Sequence, residues 1–168
     1  MDKQEQKQFF QEIITQHKGI LFKVARGYCP QEDERKDLMQ EMMIQIWLSI
    51  HKYNEQYKIS TWLYRISLNV AISFYRKNAT RVTKFSVLNE HTVDLPIEDK
   101  TENERELLLL EQFISELKEI EKALMILYLE DKSHNEIAEI LGISLSNVGT
   151  KIGRIKNKLK KRFSQLKA

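Results

Sequence analysis

Apolar residues recur every three or four positions through the first half of the chain, a spacing typical of amphipathic helices. The first predicted helix carries this repeat from Phe10 to Val24. The second opens with the acidic run that follows Pro30, and the third is capped by Ser60 and runs to about Lys77. The predicted core positions are, helix by helix, Phe10, Ile13, Ile14, Ile20, Leu21 and Val24; Leu38, Met39, Met42, Met43, Ile46, Trp47 and Ile50; and Leu63, Ile66, Val70 and Phe74.

The pattern breaks between the third helix and the next apolar repeat. Turn-forming residues are frequent in this segment, which predicts a linker over residues 81–103. Thr101 and Glu104 have the spacing of a capping box. A helical repeat follows them and continues to about Glu130, with a break near Lys118.

The C-terminal segment has the pattern of a helix-turn-helix. Ser133 and Glu136 form another capping box, and Gly142 lies where a helix ends. A longer helix is predicted from Ser146 to about Phe163. Its buried stripe comprises Val148, Ile152, Ile155 and Leu159. A short helix, a glycine turn and a long helix are the parts of a helix-turn-helix, which binds duplex DNA.

No segment shows the sustained alternation of a strand, and the 168 residues include only 5 Gly and 2 Pro. The predicted fold class is therefore all-α. It consists of two small helical domains, residues 1–80 and 104–168, joined by the flexible linker 81–103. The helix-turn-helix belongs to the second domain.

Charge changes this picture, because it is unevenly distributed. Residues 56–89 contain six basic side chains and no acidic one, and every charged residue after Glu139 is basic. Residues 90–106 contain seven acids and two bases, so the linker is acidic. Two acid-free basic stretches indicate two surfaces for a polyanion. A solvated charged face is the alternative for either stretch taken alone.

Three helix faces carry candidate chemistry. On the third helix, cations and amides alternate with aromatic rings, as in proteins that bind single-stranded DNA. On the last helix, short polar groups and cations share one side, as major-groove binding requires. The exposed side of the second helix is acidic and lies beside methionines. It fits a protein interface or an ordinary solvated face equally well.

The sequence indicates no enzyme chemistry, no metal site and no cofactor. His17, His51, His91 and His134 are scattered, and the single Cys29 allows no internal disulfide. No apolar run has the length of a membrane span, and the N-terminus lacks a signal-peptide core. We therefore expect a cytoplasmic protein that is not inserted in a membrane.

Particular residue strings resemble a known family. Residues 37–41, DLMQE, followed by Trp47 and by residues 60–69, STWLYRISLN, resemble region two of bacterial RNA polymerase sigma factors. Residues 136–144, EIAEILGIS, and the helix after them resemble region four. Both matches occur in the right order with a short linker between them. That arrangement is similar to the extracytoplasmic-function (ECF) group of two-domain sigma factors.

The resemblance implies partners and sites. Core RNA polymerase would be bound through the clamp helices of its largest catalytic subunit, by Asp37, Leu38, Gln40, Glu41, Ile44 and Gln45. The single-stranded −10 promoter element would be bound by Tyr57, Lys58, Trp62, Arg65, Asn69, Ser73, Arg76 and Lys77. The duplex −35 element would be bound by Ser144, Ser146, Asn147, Gly149, Thr150, Lys151, Gly153, Arg154 and Lys158.

The second domain would also meet the flap of the second polymerase subunit. An anti-sigma factor is common in this group and is a further candidate partner. Gly149 and Gly153 depart from many relatives, which carry larger or polar side chains there. We therefore expect −35 binding without predicting its base sequence.

Two other functions are compatible with parts of the sequence. A helix-turn-helix regulator that binds DNA without core polymerase leaves the second and third helix faces unexplained. A helical adaptor that binds only protein leaves both basic stretches unexplained. Binding to core polymerase and salt-dependent DNA binding distinguish these functions from that of a sigma factor.

Overall fold

The computed structural model describes residues 1–85 and 101–167, without side-chain detail for 79–85 and 167. Within these ranges the chain forms helices and no strand, which confirms the predicted all-α class. Seven α-helices lie in the described residues: α1 (Lys3–Tyr28), α2 (Glu32–Ser49), α3 (Ile59–Phe85), α4 (Glu102–Ser115), α5 (Glu119–Leu129), α6 (His134–Leu141) and α7 (Leu145–Lys167). A single 3-10 turn, Ile50–Lys52, follows α2.

The first two helices begin where local chemistry favours a helix start. Asp2 caps α1: its Oδ1 accepts the Gln4 and Glu5 N–H groups, both at 2.8 Å, and the Glu5 carboxylate accepts the Asp2 N–H. The α2 helix opens after Pro30 with three acidic residues in its first turn. The predicted start of α2 is therefore confirmed. The three carboxylates stabilise it, because negative charge is favourable at a helix N-terminus.

The α3 helix is longer than predicted at both ends. It begins at Ile59, where the Lys58 carbonyl accepts the Trp62 N–H at 3.1 Å, so Ser60 lies in its first turn and is not its cap. It continues to Phe85, past the predicted end near Lys77, because no Gly or Pro interrupts it. The end of α3 thus reaches into the predicted linker, whose boundaries stay a prediction.

The α4 helix begins at Glu102, two residues before the predicted start of the second domain. Linker residues 86–100 lie outside the described residues. The Thr101–Glu104 capping box is confirmed, with N···O distances of 3.1 and 3.3 Å. The predicted break near Lys118 is confirmed as well, because α5 starts one residue later.

The helix-turn-helix has the predicted parts. Ser133 and Glu136 cap α6 reciprocally, at 2.9 and 3.1 Å, and the hydrogen bond from the Ser133 N–H lowers the pKa of Glu136. Gly142 ends α6 with φ +66°, a left-handed conformation that glycine adopts without strain. The next helix starts at Leu145, one residue before the predicted start, and its predicted buried stripe is confirmed.

The core of the first half lies between α1, α2 and α3, and Leu21, Leu38, Met42, Ile46, Leu63 and Leu68 in it are completely buried or nearly so. The predicted α3 stripe is only partly right, since Ile66, Val70 and Phe74 are half-buried. The face that is buried instead comprises Leu63, Tyr64, Ser67, Leu68 and Ala71. The buried face of α3 is thus turned about the helix axis relative to the predicted stripe, because α5 and α6 of the second half also pack on α3.

The contact between the halves has a charged side chain at its centre. Lys122 of α5 is only 2% exposed, and its Nζ lies 4.4 Å from the ring centroid of Tyr75 and 5.5 Å from that of Tyr28. Burial lowers the pKa of this lysine. The Tyr28 hydroxyl donates to the Glu119 carbonyl at 2.6 Å. Aromatic faces thus replace part of the water that Lys122 loses.

Ion pairs surround this centre. Arg26 pairs with Glu111 at 3.1 Å, and Lys23 pairs with Glu130. Each pair joins α1 to a helix or turn of the second half. All four side chains are partly solvated, so the pairs orient the contact more than they stabilise it.

Candidate nucleic-acid interface

The outward side of α2, here named the α2 strip, consists of six exposed residues that recur at the helical spacing i, i+3, i+4, i+7, i+8 and i+11. They are Asp37, Gln40, Glu41, Ile44, Gln45 and Leu48. Ile44 and Leu48 are 52% and 56% exposed although both are apolar. Exposed apolar side chains among carboxylates and amides mark a surface suited to binding a protein.

One residue of the expected polymerase contact needs correction, and one exposed residue beside it was not among those expected. Leu38 is completely buried, so its side chain packs in the core and is not available to a partner. Leu48 was missed by the sequence prediction, which considered only the neighbourhood of Asp37 to Gln45. The signal was present, because Leu48 lies four residues after Ile44 and off the buried stripe of Met42 and Ile46.

The outward side of α3, here named the α3 face, is exposed at Arg65, Asn69, Ser73, Arg76 and Lys77. No acidic residue occurs in α3, so this face is positive. Trp62 lies at its edge and is half-buried, with its ring centroid 5.3 Å from that of Tyr53. Tyr57 and Lys58, in the loop before the helix, are exposed. Trp62 and the exposed residues of α3 therefore share one side of the helix, and Tyr57 adjoins that side through its contact with Arg65.

The α2 strip and the α3 face adjoin. A crevice of about 450 Å³ separates the two helices, and its walls include Glu41 and Gln45 from α2 and Asn69, Ser73 and Lys77 from α3. A partner bound to the α2 strip would consequently lie next to the positive α3 face.

One residue of the α3 face is engaged by the second half of the chain. The Arg76 guanidinium donates to Glu119 Oε2 at 2.8 Å, and Glu119 also lies at the start of α5. Both side chains are accessible, so this is a surface pair that water and salt weaken.

The expected −35 residues line one side of α7 and the turn before it. Ser146, Asn147, Thr150, Gly153, Arg154 and Lys158 are exposed, and Gly149 and Lys151 are half-buried. Ser144 is exposed but its hydroxyl accepts the Asn147 N–H at 3.2 Å, which makes it a helix cap. Lys158 pairs with Glu121 of α5 at 3.4 Å. Short polar groups and cations on one helix side suit a DNA major groove.

The two helical glycines of α7 have no packing role in the chain. A Cβ at Gly153 would meet nothing within 4 Å, and one at Gly149 would make an ordinary 3.8 Å contact with His134 Nδ1. Glycine costs roughly 1 kcal/mol relative to alanine in a helix interior. Nothing within the described residues explains this cost, whereas an approaching ligand would gain access to the helix backbone.

The described part of the chain has neither a metal site nor a reactive thiol. In the described part of the chain, no three His, Cys, Asp or Glu side chains are placed to hold a metal ion. None of the described helices is long and apolar enough to cross a membrane. Cys29 is buried, and burial raises the pKa of its thiol to about 11. A protonated thiol of this kind is a poor nucleophile at neutral pH.

Comparison with known families matches both halves of the chain. The family model described as sigma-70 region 2 matches residues 13–81, and the one described as sigma-70, region 4 matches residues 107–159. The first contains the α2 strip and the α3 face, and the second contains the helix-turn-helix. The chain belongs to the sigma-70 family of RNA polymerase sigma factors. Its function is to direct transcription initiation, with core RNA polymerase and promoter DNA as partners.

Curated relatives place this sigma factor in the ECF group. The RNA polymerase sigma factor SigV of Bacillus subtilis is 29% identical over 153 residues, which are 90% of this chain and 89% of SigV. The ECF RNA polymerase sigma factor SigW of the same species is 28% identical over 170 residues, covering 94% of this chain and 90% of SigW. Sigma factors are not known as a class of enzymes.

Solved structures share the fold. CnrH, determined in complex with the cytosolic domain of CnrY, has a TM-score of 0.68 at 20% identity, covering 95% of this chain and 90% of CnrH. The sigma factor RpoE from Bartonella quintana, determined with the anti-sigma factor NepR, has a TM-score of 0.69 at 19% identity. That match covers 94% of this chain and 96% of RpoE.

Proposed function

We propose that this sigma factor uses three separate surfaces. The α2 strip docks on the clamp helices of the largest polymerase subunit, the α3 face holds the melted −10 strand, and α7 reads the −35 duplex. The observation that carries the proposal is the crevice at which the α2 strip and the α3 face adjoin. A polymerase bound to the α2 strip directs a DNA strand past the α3 face.

The −10 contact combines charge and stacking. Arg65, Arg76 and Lys77 neutralise phosphates, while the rings of Trp62 and Tyr57 stack on unpaired bases. Each stacked base contributes roughly 1–3 kcal/mol, which helps to hold a strand open but does not open a promoter alone. Melting therefore depends on the holoenzyme.

The −35 contact uses the exposed side of α7. Asn147 and Thr150 offer hydrogen bonds to base edges, and Lys151 contacts phosphate. Arg154 is placed to read a guanine or to contact the backbone. Gly153 lets the helix backbone approach the DNA closely.

A second surface of this half fits the flap of the second polymerase subunit. A groove of about 1030 Å³ lies between α4 and α7, and its apolar walls include Leu107, Leu110 and Phe163. Lys156 and Lys160 line the same groove. Its size and apolar lining suit a short amphipathic segment of another protein.

An anti-sigma partner and a cytoplasmic location are part of the proposal. Two sigma factors of this fold were determined with CnrY and with the anti-sigma factor NepR, so we propose an anti-sigma partner for this chain as well. The chain acts in the cytoplasm, where polymerase is found, and it performs no catalysis itself. Bond formation belongs to the polymerase. The regulator that binds DNA without polymerase is not favoured, because it gives region 2 no role.

The experiment is run-off transcription with bacterial core polymerase on genomic fragments, using the full chain. We expect discrete transcripts, whose start sites also reveal the promoter. A chain that binds duplex DNA without directing any transcript would contradict the proposal.

Charge reversal tests the α2 strip. We expect Asp37→Lys with Glu41→Lys to lower the affinity for core polymerase at least tenfold and to leave stability nearly unchanged, since both carboxylates are exposed. The control is Glu12→Lys with Glu139→Lys, which makes the same change in net charge at exposed positions of α1 and α6. Affinity is measured by titration of labelled chain with core enzyme. Equal affinity of the two double variants would remove α2 from the interface.

A further inference from the structure

The loop between the 3-10 turn and α3, residues 53–58, has a tightly organised conformation although it is exposed. The Tyr53 hydroxyl donates to the Tyr57 carbonyl at 3.0 Å and closes the loop. Within it, the Gln56 N–H donates to Asn54 Oδ1 at 3.3 Å. Glu55 has φ +58°, a left-handed backbone that costs a non-glycine residue free energy. Such strain persists only where the surroundings hold it in place.

Aromatic packing of Tyr53 keeps the loop in this conformation. The Tyr53 ring lies between Phe9 of α1, at a centroid distance of 6.1 Å, and Trp62 of α3, at 5.3 Å. Tyr53 is consequently fixed by two helices, while its hydroxyl reaches the far end of the loop. The loop is thus anchored to the rigid part of the first half through one side chain.

The same loop presents two groups of the −10 surface. Tyr57 is 38% exposed, and the guanidinium carbon of Arg65 lies 5.5 Å from its ring centroid. The guanidinium lies over the ring, and a base can stack in turn on such a cation–ring pair. The distance between the Tyr57 ring and the Arg65 guanidinium depends on the conformation of the loop, because Arg65 lies on α3 whereas Tyr57 lies in the loop.

We propose that Tyr53 is a positioning residue for promoter opening, which holds Tyr57 beside Arg65 as a preformed stacking surface for an unpaired base of the −10 strand. Tyr53 itself does not contact DNA. This inference rests on the proposed function, in which the α3 face and its loop bind the melted strand. Its physical basis is that a loop ordered in advance does not lose that freedom when the strand binds.

The test uses Tyr53→Phe in the full chain, because this change removes the hydroxyl and keeps the ring between Phe9 and Trp62. With core polymerase, open-complex formation on the run-off promoter should fall about three- to tenfold, the effect of one hydrogen bond. The fluorescence of 2-aminopurine in the non-template −10 strand, which rises when a base leaves the stack, should report the same loss. The thermal midpoint of the chain should stay unchanged. Tyr128→Phe is the control, since it removes a hydroxyl on α5 far along the chain from the loop.

Rescue distinguishes positioning from stability. Asn tolerates a left-handed backbone, so Glu55→Asn added to Tyr53→Phe should restore most of the open-complex formation. Tyr53→Phe equal to wild type on the active promoter would overturn the inference and leave the proposed function standing. A loss that follows a lowered thermal midpoint, without rescue, would overturn it too. A wild-type chain that directs no transcript would instead contradict the proposed function.

Discussion

Ser67 of α3 is completely buried, and its hydroxyl is the one buried side-chain polar atom of the described residues without a hydrogen-bond partner. It lies on the buried face of α3, together with Leu63, Leu68 and Ala71. A side chain with no exposed surface cannot contact a base, so Ser67 takes no part in binding the −10 strand. Its neighbours on the α3 face, Asn69 and Ser73, are exposed instead.

Ser67→Ala is expected to raise the free energy of unfolding by about 1 kcal/mol. Burying a hydroxyl without a partner costs roughly 1–3 kcal/mol, and alanine removes the hydroxyl without adding volume. Urea unfolding of the full chain measures the difference. Ser115→Ala is the comparison, because the exposed Ser115 hydroxyl donates to the Gln112 carbonyl at 2.6 Å. A less stable Ser67→Ala would mean that the hydroxyl is satisfied by bound water.

At the scale of elements, α7 combines a well-formed buried stripe with an unusual exposed side. Val148, Ile152, Ile155 and Leu159 anchor it to α5 and α6, and its charged residues are all basic. Such a helix needs no glycine for packing, yet it has two on or near the outward side. A single substitution, at Gly153, can therefore test whether helix stability is lost in exchange for access of DNA to the helix backbone.

Gly153→Ala is expected to stabilise the chain by about 1 kcal/mol, because alanine favours the helix and meets nothing within 4 Å. Affinity for a −35 duplex should fall at the same time, since the added methyl group obstructs a close approach of the helix to DNA. Urea unfolding and fluorescence anisotropy with a labelled duplex measure the two effects. Opposite signs support a DNA-facing Gly153. Affinity that is unchanged while stability rises would show that this side of α7 points away from DNA.

At the scale of the whole molecule, the two halves meet through α1 and α3 on one side and α4, α5 and α6 on the other. Apolar contacts, the buried Lys122 and the surrounding ion pairs all lie in this contact. Lys132, in the turn before α6, also lies 5.4 Å from the ring centroid of Tyr64, whose pKa burial raises to about 12. Gly27 permits a close approach here, because a Cβ at this position would lie 2.5 Å from Ile126 Cδ1.

Gly27→Leu is expected to separate the halves while leaving each one folded. The leucine side chain would displace the Ile126 side chain, whose Cδ1 lies 2.5 Å from a Cβ at this position, and would push α1 and α5 apart. Small-angle scattering should show a radius of gyration above the roughly 15 Å of a compact chain of this length. Helicity by circular dichroism should not change. Gly19→Leu is the matched control in the same helix, where a Cβ meets nothing within 4 Å. An equal radius for both variants would contradict the prediction.

Local patterns in the sequence determined most of the secondary structure and much of the candidate site. The capping boxes at Thr101 and Ser133, the turn at Gly142 and the α7 stripe are set by residues within a few positions of one another, so short-range chemistry is sufficient to predict them. The same holds for the exposed residues of α2, because a helix whose core stripe is known also has a known opposite side. The family resemblance is local as well, since it rests on the strings at residues 37–41, 60–69 and 136–144.

Tertiary structure alone decided which faces are buried when more than one neighbour covers a helix. Ser67 is buried because α5 and α6 of the second half also pack on α3, which helical periodicity does not specify. Likewise, Tyr53 reaches Tyr57 and Phe9 only in the folded chain. Lys122 is an ordinary lysine in the sequence and becomes a buried cation between two rings only when the halves meet. Contacts between residues distant in sequence depend on the sum of many packing interactions, and no local pattern encodes that sum.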